Sequence, residues 1–345
     1  MSERPIRVAL VGDYEGVQAT SAPVAALRER AEVTVHQEPI PPDEVAAALA
    51  DHAIVIAIRE RTRLPADVLT ELPALEFVSQ SGTHAAHIDL AAAAARGVAI
   101  ACGPGDPTRG SRPSLMPELV FGQLFALTRD LVPLQKAMST GGWPASVGRA
   151  MRGSTLGILG LGRHGSAVAS VAVSLGMEVL AWGPTLTDDR AAAAGVERCL
   201  ELDDLLPRVD VLSVHLKLSD LSRGLLDAGR LDLLPDHAII INTARGAIID
   251  EQAIAQRLAD GRLGGAGLDV FVEEPLPEDS PLRGLDNVML TPHVGWTVDR
   301  NLEEFAEDTV AHVLMYLDGR LDRGALLNPE AVEVDRVRHG GFTSD

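Results

Sequence analysis

Thr155-Leu-Gly-Ile-Leu-Gly160-Leu-Gly162-Arg163-His164-Gly165 is the stretch on which the fold turns. Thr155–Leu159 reads as a short apolar strand, and Ser166–Leu175 reads as the helix that follows. A lone G-x-G-x-x-G says little, but between a strand and a helix it has a mechanism. Gly160 permits the tight turn, Gly162 lets the backbone approach a pyrophosphate, and Gly165 lets helix and strand pack closely. The helix N-terminus then presents free N–H groups to the phosphates. Arg163 either adds a charge there or sits in solvent, and His164 belongs to the same loop.

Working outward, six short strands are expected in this part of the chain: Thr155–Leu159, Glu178–Ala181, Val211–His215, Ala238–Asn242, Gly267–Phe271 and Val288–Thr291. Six strands alternating with helices is the dinucleotide-binding count. Upstream, Arg7–Val11, Val33–His36, Ala53–Ile58, Leu75–Ser79 and Val98–Ala101 alternate with helical stretches such as Ala22–Ala31 and Ile88–Arg96. That order, with buried β-branched strands, implies a second doubly wound parallel sheet. The Gly- and Pro-rich run Gly103–Pro113 reads as a linker or hinge. Ser114–Leu131 follows as a helix apolar on more than one face, which must be buried on several sides, within the subunit or against a second one. Leu302–Leu317 is a long amphipathic helix, Trp143 is expected to pack at a domain edge, and the polar tail beyond Val334 is expected to fray.

The 345 residues suit two domains. A net charge of −19 and the lack of a basic run argue against a nucleic-acid partner. Apolar runs of strand length cannot cross a bilayer, and the N-terminus lacks the pattern of a signal peptide. The two cysteines, Cys102 and Cys199, form no CxxC, which fits a reducing, cytoplasmic compartment. No His, Asp or Glu cluster has metal-ligand spacing, so no metal is expected.

Three segments lie just past the carboxyl ends of strands, where open α/β sheets bind ligands: Asn242-Thr243-Ala244-Arg245-Gly after Ala238–Ile241, Asp269-Val-Phe-Val-Glu-Glu274-Pro after Gly264–Gly267, and Thr291-Pro-His293-Val-Gly after Val288–Leu290. Together they bring an arginine, acids and a histidine to one edge. Arginine supplies a fixed cation for a carboxylate or carbonyl oxygen. Histidine exchanges a hydroxyl proton near neutrality, and a carboxylate beside it stabilises and orients the imidazolium.

On these motifs (GLGRHG, NTARGAIIDE, GGAGLDVFVEEPLP and NVMLTPHVGW) the chain resembles, over about residues 6–330, the NAD(P)-dependent D-2-hydroxyacid dehydrogenases, which include phosphoglycerate, glyoxylate/hydroxypyruvate and D-lactate dehydrogenases. The resemblance implies a Rossmann cofactor domain, residues 107–297, inserted into a flavodoxin-like substrate domain formed by 1–106 and 298–345, and a cleft that closes to exclude water. It implies that Arg245 binds the substrate's carboxylate and carbonyl, and that Glu274, at the family's 29-residue interval from Arg245, pairs with the acid/base His293. It implies that Asp269 contacts the nicotinamide carboxamide and that the amides of Ser81-Gly82-Thr83 hold the substrate carboxylate. His215, Ser219, Thr243 and Ala244 complete the expected cofactor contacts, and a homodimer built through Ser114–Leu131 is expected. The substrate is a small 2-keto or 2-hydroxy acid. His84 and His87 read as polar loop residues, and Trp296 as packing or as a border of the pocket.

The family's ribose-binding acid is missing: 18 residues past Gly165 stands Gly183. Either NAD or NADP is therefore expected, with weak discrimination between them; Arg190, one helical turn beyond the loop, is a candidate to meet a 2′-phosphate but reads as a solvated helix residue. Two rivals remain. One is a cofactor-sensing, corepressor-like binding protein that keeps the same Arg, Glu and His. The other is a formate dehydrogenase of the same family, which Glu274 argues against because those enzymes carry Gln there.

Overall fold

The computed structural model describes residues 5–105 and 112–343; Asp106–Ser111, the middle of the expected hinge, lie outside the described residues. The chain divides into two compact units, the first running to residue 112 and resuming at 297, the second spanning Pro113–Trp296.

The first unit is built on five strands, β1 (Arg7–Val11), β2 (Glu32–His36), β3 (Ile54–Ala57), β4 (Phe77–Gln80) and β5 (Ala99–Cys102), all parallel in the order β2-β1-β3-β4-β5. That is the flavodoxin-like order of a doubly wound sheet. β3 and β4 are buried along their whole length, as a sheet covered on both faces requires.

The second unit holds seven parallel strands, β6 (Thr155–Leu159), β7 (Glu178–Trp182), β8 (Glu197–Arg198), β9 (Val211–Val214), β10 (Ile239–Asn242), β11 (Gly265–Leu268) and β12 (Val288–Leu290), in the order β12-β11-β10-β9-β6-β7-β8. This is the dinucleotide-binding arrangement with one further strand beyond the usual six. The strand order reverses between β6 and β9, so the Gly-rich loop stands at the switch point. In that order the further strand is β12, while β8, which the sequence did not show, is a two-residue edge pairing with Leu180 and Ala181.

Three sequence expectations change. The expected Ser114–Leu131 helix is Met116–Thr128, and a second helix that was not expected, Leu131–Ser139, follows it after Asp130, which stands in the left-handed region at φ 51°. In the first, Val120, Phe121 and Leu124 are buried in the same core cluster as Val168, Ala169 and Ala172. Its apolar surface is therefore largely spent inside its own unit. In the second no residue is buried; Leu131, Val132 and Met138 are about half exposed, and Trp143 beyond them is 89% exposed rather than packed at a domain edge.

The tail beyond Val334 is tied down. Arg336 donates to Leu75 O and Arg96 O, Arg338 donates to Gly97 O, and the His339 amide donates to Glu76. Phe342–Thr343 then pairs with Leu321–Asp322.

Candidate active site

β6 delivers the chain into Gly160, whose φ of 96° only glycine adopts cheaply. A Cβ at Gly165 would collide with the Gly160 carbonyl, whereas one at Gly162 would meet nothing within 4 Å. The loop is thus tight against the helix on one side and open on the other, as a backbone that must approach a ligand requires. Gly162 is the N-cap of the Arg163–Ser174 helix and has no side-chain cap, so N–H groups of its first turn remain for an anion. His164 is held by Ser114 Oγ, 2.6 Å from its Nδ1. Across the switch point His215 is partly buried, with Ser213 Oγ 2.8 Å from its Nε2. Burial, helped by the nearby His164, pushes its pKa down to about 3, so it enters as a neutral ring. The Ser219 amide donates to Ser222 Oγ. Thr243 carries a buried Oγ1 without a hydrogen-bond partner among the described residues. An open phosphate-type loop and an orphaned hydroxyl at the end of β10 fit a dinucleotide.

The chemical groups gather at the ends of β10, β11 and β12. Asn242, the last residue of β10, fixes the next turn: its Oδ1 accepts from the Ala244 amide, and its Nδ2 donates to Arg245 O at 3.0 Å. Arg245 Nη1 donates to Ala244 O at 2.6 Å. Gly246 then lies so close to the next loop that a Cβ would overlap the Phe271 carbonyl. That contact sets the Arg245 turn against the segment carrying Glu274.

Glu274 Oε1 accepts from the Phe271 amide at 3.0 Å, and its Oε2 lies 2.7 Å from His293 Nδ1. Burial raises the Glu274 pKa, but the His293 and Phe271 hydrogen bonds and the charges of His293 and Arg245 outweigh it and hold the carboxyl below its ordinary range. His293 itself has φ 54°, unusual for a side chain with a Cβ.

Asp269 explains how that conformation is held. Its Oδ1 accepts from Thr291 Oγ1 at 2.5 Å and from the Val294 amide at 2.8 Å, and its Oδ2 accepts from the Gly295 amide at 2.8 Å. Gln123 reaches across from the Met116–Thr128 helix and donates to Thr291 Oγ1 at 2.9 Å. The expectation for Asp269 was a contact to the nicotinamide; its carboxylate is engaged by the loop that carries His293. Burial raises its pKa against these hydrogen bonds. Neither this clamp nor Gln123 announces itself in the sequence, because the partners lie 22 to 168 positions apart.

In the first unit, Ser81-Gly82-Thr83 follows β4. The Ser81 amide donates to Ala57 O, and Gly82 has φ 90°. Arg59, just past β3 and itself at φ 53°, donates its amide to Ser81 Oγ at 2.8 Å, and a Cβ at Gly82 would strike its guanidinium. Arg59 was not among the expected site residues, although it stands at a strand end as Arg245 does. His84 Nε2 lies 2.9 Å from Glu60 Oε1. His87 lies in a loop as expected, but partly buried, and burial pushes its pKa down to about 4.

Residues 121–295 match the family described as D-isomer specific 2-hydroxyacid dehydrogenase, NAD binding domain, and residues 14–111 match the catalytic domain of the same description. An (S)-sulfolactate dehydrogenase of Chromohalobacter salexigens is 36% identical over 275 residues, 79% of this chain and 87% of that protein. A D-3-phosphoglycerate dehydrogenase of Mycobacterium tuberculosis is 34% identical over 313 residues, which cover 90% of this chain but 56% of that longer protein. A solved oxidoreductase of Ralstonia solanacearum superposes with a TM-score of 0.85 at 31% identity, covering 94% of this chain and 98% of that one.

Proposed function

Because the chain belongs to the D-isomer-specific 2-hydroxyacid dehydrogenase family, NAD-dependent enzymes of 2-hydroxy and 2-keto acids, we propose that His293 is its acid/base, Glu274 the partner of that base and Arg245 the substrate-binding cation. The observation that carries this is the 2.7 Å contact between His293 Nδ1 and Glu274 Oε2. With Nδ1 engaged by a carboxylate, Nε2 is the nitrogen that gives its proton to a developing alkoxide or takes one from a hydroxyl. Arg245 neutralises the alkoxide charge and orients the acid. The amides of Ser81, Gly82 and Thr83 bind the substrate carboxylate. Gly160, Gly162, Arg163, His164 and Gly165 take the pyrophosphate, with His215, Ser219, Thr243, Ala244 and Asp269 around the rest of the dinucleotide. When bound, that cofactor supplies or accepts the hydride.

The test is a panel of 2-keto acids, with and without a second anionic group, assayed with NADH and with NADPH. Turnover of any of them supports the enzyme reading; tight nucleotide binding with no turnover of the panel favours the corepressor-like rival. A homodimer is part of the proposal, carried by the exposed apolar stretch Leu131–Trp143 rather than by the buried helix before it. A 36.5 kDa monomer in sedimentation at micromolar concentration refutes it. Two free thiols, Cys102 and Cys199, support a reducing, cytoplasmic setting, and the net charge of −19 opposes a nucleic-acid partner.

A further inference from the structure

β7 ends at Trp182 and the chain continues Gly183-Pro184, where a dinucleotide-binding unit usually places an acid against the ribose hydroxyls. The position is not crowded. A Cβ on Gly183 would stand 3.7 Å from Gly160 Cα and 3.8 Å from Leu186 Cβ, which is ordinary contact. An acid therefore fits sterically, and what its absence changes is charge.

Arg190, in the short Asp188–Ala193 helix that follows, reaches back over this gap. Its Nη2 donates to Leu161 O in the Gly-rich loop at 2.6 Å, and its Nη1 donates to Thr185 O just past Gly183 at 3.1 Å. The guanidinium is thereby held between the phosphate loop and the end of β7, the two segments that flank an adenosine ribose in this fold. It is not the solvated helix residue that its place in the sequence suggests. Arg163 and Arg190 line one open groove of about 680 Å³ together with Ser166, Ser170 and Ser174, and no carboxylate lines it. Among the described residues neither arginine forms an ion pair with a carboxylate, and the nearby Asp188 is taken by Arg198 at 2.9 Å. In a chain of net charge −19, a groove with two arginines and no acid is a local inversion of sign.

Resting on the dehydrogenase reading above, we propose that Arg190 binds the 2′-phosphate of the adenosine ribose, so that this chain prefers NADP(H) to NAD(H). Its guanidinium offers charge-assisted, bidentate donors to a phosphate, and the charge of Arg163 in the same groove adds to the positive potential there. Gly183 withholds the acid that would repel it.

The test compares 2′,5′-ADP with 5′-AMP, which differ only in that phosphate, by calorimetric titration of the whole protein. The wild type is expected to bind 2′,5′-ADP about tenfold or more tighter. Arg190→Ala should weaken 2′,5′-ADP by about that factor and move 5′-AMP by less than about threefold. Gly183→Asp should weaken 2′,5′-ADP while 5′-AMP is retained. Equal affinities in the wild type overturn the proposal and leave the dehydrogenase reading standing. So does an Arg190→Ala variant that loses both ligands equally, since the side chain would then only be tying Leu161 to Thr185. Binding of neither nucleotide overturns both readings.

Discussion

Replacing Asp269 with Asn should unlatch the loop that carries His293. The carboxylate accepts three hydrogen bonds, from Thr291 Oγ1 and the Val294 amide on one oxygen and from the Gly295 amide on the other. Asparagine has the same size but only one acceptor oxygen. With its oxygen toward Val294, its NH2 meets the Gly295 N–H donor to donor; flipped, it meets Val294 the same way. At least one loop N–H is left unsatisfied, at about 1–3 kcal/mol. His293 sits at φ 54°, a conformation costing a residue with a Cβ roughly 1–2 kcal/mol, so a freed loop has a downhill path out of it. The consequence is loss of the Glu274 contact as well as of stability. We expect urea unfolding to register a loss of about 2 kcal/mol and kcat/KM on the best substrate to fall about a hundredfold, the low end of what positioned acid–base catalysis contributes. A variant within about threefold of wild-type kcat/KM and about 0.5 kcal/mol of its stability would refute the clamp.

Arg245→Ala should cost roughly 3–4 kcal/mol of transition-state stabilisation while 5′-AMP binding persists, and activity within threefold of wild type would remove Arg245 from the mechanism. Glu274→Gln should move the acid-side inflexion of the rate profile to lower pH, because a neutral amide no longer favours a charged partner; an unmoved inflexion means the two side chains do not act as a pair. His87 titrates at about 4 in the folded chain against an ordinary 6.5. The unfolded chain takes up a proton that the fold refuses, so stability is full above pH 6.5 and falls as pH drops from there to 4, by up to about 3 kcal/mol. His87→Gln should flatten that part of the stability profile, and an unchanged slope in urea titrations would exclude the assignment.

Legibility tracked locality. The strands are apolar runs bounded by glycine and polar turns, so their placement follows within three residues, the largest slip being Gly265–Leu268 against the expected Gly267–Phe271, and the strand-end rule finds Arg245, Glu274 and His293 together. β8 escapes because Glu197–Arg198 is a polar two-residue edge with no period to detect. The helix Leu131–Ser139 escapes because none of its side chains is buried and its third residue is a proline, so it carries no core-facing pattern to detect. Trp143 misleads because an apolar side chain does not say whether its cover lies within its own subunit. The tail after Val334 reads as frayed because its partners are backbone carbonyls 261 and 241 positions upstream. Arg190 shows the same limit: its partner Leu161 O is 29 positions away, so its helix alone suggests solvent.

The first sheet depends on residues from the far end of the chain. Leu302, Ala306, Val310, Val313 and Tyr316 are buried, Tyr316 stacks on Phe77 with ring centroids 4.5 Å apart, and Ser79 Oγ donates to Thr309 O from 230 positions away. On a ribosome, the N-terminal strands emerge first and complete their packing last, while residues 113–296 fold as an uninterrupted piece in between. That piece assists the final step. A Cβ at Gly295 would stand 3.1 Å from Met116 Cε, so the folded insert holds its own entry and exit side by side. What would be the closure of a very long flexible loop becomes the closure of a short one, a saving of about 2–3 kcal/mol in chain entropy. Lesions that loosen the insert, however far from the first sheet, should therefore slow the burial of Phe77 and Ser79.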